Sequence, residues 1–181
     1  MVDLVGPEVQ PVAPTFPMPS KRNPVKTVTS LLDARKLIHL KRRLAVAGNH
    51  RCRIALTGGP GGGKTTAADL FRREIGERVV VVPEAATLVF SGGFPRCTEP
   101  PGAFAAQRAI YHVQCNLEEV QSSLYPDRIL LCDRGTVDGA AYWPGQPSDF
   151  FAALGTTLEE QLARYDGVIF FESAAAGGLR I

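Results

Sequence analysis

The segment from residue 58 to residue 65 combines glycines, a lysine and a threonine at a spacing that can bind phosphate. Glycines let successive backbone N–H groups turn toward phosphate oxygens without a Cβ clash. Lys64 would reach the β- and γ-phosphates, and the hydroxyl of Thr65 would ligate Mg²⁺. We therefore predict a site for Mg²⁺ and a nucleoside triphosphate, either ATP or GTP. The segment matches G-x-x-x-x-G-K-[ST] at every fixed position, and the predicted nucleotide-binding residues are Gly58, Gly59, Pro60, Gly61, Gly62, Gly63, Lys64, Thr65 and Thr66.

Asp133 and Arg134 directly follow an apolar run, residues 129–132, that is typical of a buried strand. A phosphate-binding loop needs a carboxylate at the end of a neighbouring strand to hold Mg²⁺, directly or through water. Asp133 stands at that position, so we predict that it ligates the metal together with Thr65. Arg134 either neutralises the transferred phosphoryl group or pairs with Asp133.

Glu84 ends a second apolar run, which begins with four consecutive valines at residues 79–82. In an open α/β sheet, ligands lie beyond the carboxyl ends of the strands. A carboxylate there can accept the proton of an acceptor hydroxyl, so Glu84 is a candidate general base. The alternative is that Glu84 only caps the helix start that follows it.

A polar stripe runs along the helix expected at residues 104–124. Gln107, Gln114 and Glu118 lie on this stripe, and Arg108 is adjacent to it. Gln107 and Arg108 fall in the first turn, so they either contact the substrate or face solvent. Arg96, in the preceding glycine- and proline-containing loop, is a weaker candidate for phosphate contact.

The elements that position these residues alternate along the chain. Apolar strands between helices indicate a parallel sheet covered on both faces, that is, a P-loop NTPase α/β sandwich of three layers. The core face of the long helix is predicted to be formed by Ile110, Val113, Leu117, Val120 and Leu124. Strands are expected at 51–57, 79–82, 129–132 and 168–171, helices at 64–75, 104–124 and near 148–164, and a loop at 85–103.

The composition fits one globular domain. The chain has 181 residues, of which 45 % are hydrophobic, and its net charge of +2 is too small to indicate nucleic acid binding by itself. The four cysteines lack zinc-type spacing, which favours reduced thiols and a cytoplasmic location. No apolar stretch approaches the roughly 20 residues of a membrane span.

The first 53 residues are basic, with ten Lys or Arg and three Asp or Glu. Six prolines predict a disordered leader over 1–29, because proline cannot propagate a helix or a strand ladder. A basic amphipathic helix is expected over 30–48, with its body at 31–47. It either packs against the domain or contacts a membrane surface. The domain is expected over 51–176, with a tail at 177–181.

Several runs together resemble a family of AAA-type P-loop domains. They are the glycine loop, the run Val-Pro-Glu-Ala-Ala-Thr at 82–87, the pair Gln107 and Arg108, and the run Cys-Asp-Arg-Gly at 132–135. The family includes the kinase domain of the bacterial NAD regulator and the TRPL translocation defect protein of insects, and the resemblance covers about residues 51–176. It implies a nucleoside-kinase-like fold that binds ATP or GTP.

The resemblance also implies what such a domain does. Some members transfer a phosphoryl group, which implies a small-molecule kinase or ATPase here, with Lys64, Glu84, Asp133 and Arg134 in its catalytic site. The insect branch is associated with phosphoinositides and with small-GTPase-type binding. The alternative function is therefore a nucleotide-dependent binding module, which the basic helix favours. Members continue into a further strand and a lid, so these are expected to be missing from this chain.

Overall fold

The structure is a computed structural model, and it describes residues 27–29, 52–59 and 61–171. The five strands of the described residues are β1 (Thr27–Thr29), β2 (Arg53–Gly58), β3 (Val79–Val82), β4 (Ile129–Asp133) and β5 (Gly167–Phe171). The helices are α1 (Lys64–Ile75), α2 (Ala85–Ser91), α3 (Pro100–Leu124), α4 (Pro147–Ala153) and α5 (Leu158–Leu162), with short 3₁₀ turns at Gly76–Arg78 and Asp138–Tyr142.

The strands form one parallel sheet in the order β1-β5-β2-β4-β3. Leu56 on β2 pairs with Asp133 on β4, and Val82 on β3 pairs with Cys132. The carboxyl ends of β2, β3 and β4 therefore lie side by side. That edge is where ligands bind in open sheets of this kind, because the residues that follow each strand converge there.

Two apolar layers pack on the two faces of the sheet. Alternate strand residues point to opposite faces, so Ile54 and Leu56 pack with Phe71 of α1, while Ala55 packs on the other face with Tyr165. Leu117 of α3 adds to that second layer. The result is the three-layer P-loop α/β sandwich that the strand and helix pattern predicts.

A separate aromatic cluster lies under α3. Tyr111, Trp143, Phe150 and Phe151 are buried there, and Phe150 is completely inaccessible to solvent. Its rings meet edge to face, with the Phe150 and Trp143 centroids 5.4 Å apart. This cluster anchors α4 and the 3₁₀ turn at Asp138–Tyr142 against α3.

Two expectations are corrected, and two others are not tested. Residues 85–103 are not a single loop, because α2 occupies Ala85–Ser91 and α3 begins at Pro100. The leader predicted over 1–29 contains a strand, since Thr27–Thr29 pairs in parallel with β5. The helix expected at 31–47 and the tail at 177–181 lie outside the described residues.

The predicted core face of α3 is wrong at its C-terminal end, although Leu117 packs against the sheet as predicted. Val120 and Leu124 are 53 % and 63 % exposed, whereas Gln114 and Glu118 are buried. The helix is rotated relative to the apolar pattern because its buried side meets charged partners from other elements. Within the described residues, no helix is long and apolar enough to cross a membrane.

Candidate active site

The glycine loop joins the end of β2 to the start of α1 and depends on residues without a Cβ. Gly58 has φ 128°, and a Cβ there would overlap the carbonyl oxygen of Phe171 on the neighbouring strand. Gly63 has φ 77° and is the N-cap of α1. The helix thus begins at Lys64 with its free N–H groups and positive dipole end at the loop, where an anion is stabilised. Pro60 lies outside the described residues.

Lys64 folds back over this loop. It is 7 % exposed, and its Nζ donates to the carbonyl oxygens of Gly58 at 3.0 Å and Gly59 at 2.6 Å. Burial, with Arg134 nearby, lowers the pKa of Lys64, although Asp133 opposes the shift. The ammonium is therefore held at the mouth of the loop, where a phosphate could take the place of the carbonyl contacts.

Thr65 and Asp133 meet as the sequence predicts. The Thr65 hydroxyl donates to Asp133 Oδ2 at 2.7 Å, although the residues are 68 positions apart. Both groups are hard oxygen ligands, and Mg²⁺ is usually held by one or two such protein groups together with phosphate oxygens and water. The described residues hold no group of three or more His, Cys, Asp or Glu that could bind a metal by itself. The pair therefore fits a metal that is shared with a nucleotide.

Glu84 and Arg134 form an ion pair between the ends of β3 and β4. Arg134 Nε donates to Glu84 Oε1 at 2.6 Å, and the Thr87 hydroxyl donates to Glu84 Oε2 at 2.6 Å. Glu84 is the N-cap residue of α2, but its side chain makes no capping bond to the backbone. Burial alone would raise the pKa of Glu84, but these hydrogen bonds outweigh it, and the pKa lies below its usual value.

One alternative from the sequence was that Arg134 pairs with Asp133, and the structure does not show this pair. It has φ 78°, a left-handed conformation that is uncommon for a residue with a Cβ. Its Nη1 donates to Asp138 Oδ1 and to the carbonyl oxygen of Gly58, both at 3.3 Å. These contacts aim the guanidinium at the glycine loop rather than along its own strand.

Asp138 is a site residue that the sequence patterns did not reveal. Its carboxylate accepts from the Thr57 hydroxyl at 2.6 Å and from the Gly135 N–H at 2.8 Å, in addition to Arg134. It therefore links β2 to the loop after β4. The available signal was an acidic residue between two glycines, Gly135 and Gly139, just beyond a buried strand.

Two cavities open at this edge of the sheet. One, of about 470 Å³, is lined by the glycine loop, Lys64, Thr65, Thr66 and Asp133. The other, of about 400 Å³, lies between α2, α3 and the loop after β4. We call the first the nucleotide cavity and the second the acceptor cavity. Glu84 and Arg134 line both.

The structure separates the weaker candidates. Gln107 lines the acceptor cavity, whereas Arg108 is exposed and lines neither cavity. Arg96 lies at the acceptor cavity, with its guanidinium 4.1 Å from the centre of the Phe90 ring. Gln114 also lines that cavity and is only 3 % exposed, so it does not face solvent.

A glycine loop between a strand and a helix, facing a carboxylate at the end of the adjacent parallel strand, defines a P-loop nucleotide-binding domain. The comparisons agree with this class: a family model described as AAA domain matches residues 53–177. The chain therefore belongs to the AAA-domain family. The narrower resemblance to the NAD regulator and the insect protein stays a prediction.

No curated protein matches the chain at a significant level. Among solved structures, it is similar to a mutant of the APS kinase of Mycobacterium tuberculosis, with 15 % identity and a TM-score of 0.36 over 70 % of this chain and 79 % of that one.

Proposed function

We propose that the protein transfers the γ-phosphoryl group of Mg²⁺-ATP or Mg²⁺-GTP to a hydroxyl group of a small molecule of the nucleoside type. In this proposal Lys64 and Arg134 bind phosphate oxygens in the nucleotide cavity. Thr65 and Asp133 hold the metal, which neutralises phosphate charge when bound. Glu84 is the general base.

One observation carries the proposal: the two cavities meet at Glu84 and Arg134, which line both of them. A protein that only hydrolysed a nucleotide would need no second cavity beside the nucleotide cavity. Here an acceptor in one cavity and a nucleotide in the other would have their reacting groups on either side of the same ion pair.

The residues at that junction suit an in-line transfer. The acceptor oxygen forms a bond to the γ-phosphorus while the bond to the bridging oxygen breaks, and the nucleoside diphosphate leaves with that electron pair. The hydroxyl proton passes to Glu84, which is an acceptor because it is ionised in its ion pair. Arg134 stabilises the negative charge that develops on the phosphoryl group, since its guanidinium already lies beside the glycine loop.

Nucleotide binding is tested by thermal unfolding with Mg²⁺-ATP and with Mg²⁺-GTP. A ligand at about 100 times its Kd stabilises the folded state by about 2.7 kcal/mol. Lys64→Ala should abolish this stabilisation because it removes the only lysine of the glycine loop. Arg72→Ala, an exposed change on the same helix, is the control and should keep it. A Lys64→Ala variant that binds as tightly as the unchanged protein would place the nucleotide elsewhere.

Transfer is tested by measuring nucleoside diphosphate release with a panel of nucleosides. Glu84→Gln should keep nucleotide binding and lower transfer by about 10²- to 10⁴-fold, the usual contribution of a general base. Exposed Glu77→Gln is the matched control. Unchanged turnover in Glu84→Gln would reject the role of this carboxylate. Nucleotide binding with no transfer to any acceptor would favour the binding-module alternative.

A further inference from the structure

We propose that Gln114 determines which acceptors the protein takes, because buried Glu118 orients its amide oxygen toward the acceptor cavity. The preferred acceptors would be alcohols with a planar ring that carries an amino group. This inference rests on the proposed function in one respect: it takes the acceptor cavity as the place where the second substrate binds.

Glu118 is a completely buried carboxylate with a full set of donors. Its side chain is 0 % exposed. Arg53 Nη1 and Arg164 Nη2 donate to Oε2 at 2.9 and 2.8 Å, and the Tyr165 hydroxyl donates to Oε1 at 2.7 Å. In all of these contacts the oxygens of Glu118 accept the hydrogen bond, and each oxygen already has a donor.

The carboxylate fixes the orientation of the Gln114 amide. Gln114 Nε2 donates to Glu118 Oε1 at 3.1 Å. The flipped amide would place its oxygen against Oε1, an oxygen that accepts from the Tyr165 hydroxyl, so the observed orientation is the favourable one. The amide oxygen of Gln114 is therefore directed away from Glu118. Since Gln114 is 3 % exposed and lines the acceptor cavity, that oxygen is a buried acceptor for whatever fills the cavity.

The same cluster holds the opposite wall of the cavity. The Tyr165 hydroxyl accepts from the backbone N–H of Thr136 at 2.6 Å while it donates to Glu118. Thr136 lines the acceptor cavity across from α3. Through the Tyr165 hydroxyl, Glu118 connects α3 to the loop after β4. These buried hydrogen bonds fix the position of Gln114 relative to that loop.

The remaining walls indicate the shape of the ligand. Aromatic rings of Phe90, Tyr111, Tyr142 and Phe150 line the cavity, which suits a planar ring. Glu84 lies at the end that meets the nucleotide cavity, so the hydroxyl of the acceptor belongs there. A ring with an N–H donor for Gln114 completes the requirements. A ring without that donor would leave a buried oxygen unpaired, which weakens binding.

The test uses binding rather than turnover, so that it can be separated from the proposed function. The affinities of the full chain are measured by calorimetry for adenosine against purine riboside, and for cytidine against its analogue without the 4-amino group. We expect the amino-bearing member of at least one pair to bind about 5- to 100-fold more tightly, the range for leaving one buried polar group unpaired.

Three variants follow from the geometry. Gln114→Met keeps the side-chain length and should bring the two affinities of that pair to within about twofold. Gln121→Met, on the same helix but outside the cavity lining, should keep the preference. Glu118→Gln should reduce the ratio of the two affinities. The new amide at position 118 can donate as well as accept, so it would no longer impose one orientation on the amide of Gln114. A purely structural role of Glu118 would weaken both ligands equally and leave the ratio unchanged.

The outcomes are distinct. The inference is overturned if Gln114→Met keeps the preference for the amino-bearing nucleoside. It is also overturned if the protein without substitutions binds neither amino-bearing nucleoside, or binds both members of each pair equally. Gln114→Met decides the matter even where Glu118→Gln does not fold. Discriminating binding without phosphoryl transfer would support the role of Gln114 and reject the proposed function instead.

Discussion

The nucleotide cavity and the acceptor cavity are built in different ways. The nucleotide cavity is formed mostly by one continuous segment, residues 61–66, and by backbone groups that glycines make accessible. The acceptor cavity is formed by side chains from α2, α3 and the loop after β4. Backbone N–H groups suit the phosphates, which are common to all nucleotides. Side chains from separate elements can differ in type, so they can select one acceptor over another. The difference explains why one cavity is generic and the other is expected to be selective.

The largest effect is expected from removing the charge behind the acceptor cavity. Glu118→Leu would leave the largely buried guanidinium groups of Arg53 and Arg164 without their carboxylate, and breaking a buried pair costs about 3–5 kcal/mol of unfolding free energy. Urea denaturation measures the change. Glu119→Leu, at the adjacent exposed position, should shift the free energy by less than about 0.5 kcal/mol. Equal effects of the two changes would show that the buried cluster does not stabilise this half of the molecule.

A smaller effect is expected from adding one carbon at the start of the glycine loop, where β2 packs against β5. Gly58→Ala would place a methyl group on the Phe171 carbonyl at φ 128°, so we expect a loss of about 2–4 kcal/mol from overlap and backbone strain together. Gly76→Ala also has a positive φ, 71°, but its Cβ would meet open space. That control should lose only about 1–2 kcal/mol, the strain alone. Similar losses at the two glycines would contradict the close packing of β2 against β5.

The sequence predicted the nucleotide cavity well because its residues are contiguous. The bounds of α1 at 64–75 and of β3 at 79–82 are confirmed by the structure. The contact between Thr65 and Asp133 follows from strand order, since the ends of parallel neighbours must converge. These features depend on local patterns and on one rule of sheet topology.

The acceptor cavity could not be predicted to the same degree. Hydrophobic periodicity placed Val120 and Leu124 in the core, but the position of α3 is set by charged partners that lie far away in the chain, Arg53 and Arg164. Asp138 escaped notice for a similar reason, because its partner Thr57 is 81 positions away. The helix α2 was missed because the glycines and prolines that follow it dominated the pattern of residues 85–103.

The smallest effect concerns the ion pair at which the two cavities meet, and it is visible only against pH. The pKa of Glu84 in the folded protein lies below its usual value, because the hydrogen bonds from Thr87 and Arg134 outweigh the opposing effect of burial. A carboxyl group of this kind contributes its full stabilisation above its pKa in the unfolded chain, about 4.5. The contribution is lost as the pH falls through the lower pKa that the group has in the folded protein. Glu84 is 29 % exposed, so solvent limits the size of the contribution. Urea midpoints between about pH 3 and pH 7 should therefore fall less steeply on acidification in Glu84→Gln than in the unchanged protein.

Exposed Glu77→Gln is the matched control for that measurement, because it removes a carboxyl group that lies away from both cavities. It should keep the steeper acid dependence of the unchanged protein. If Glu84→Gln kept it as well, the carboxylate would not be held by Arg134 in solution. The guanidinium of Arg134 would then be free to turn toward the nucleotide cavity. The two cavities would still be adjacent, but no ion pair between Glu84 and Arg134 would connect them.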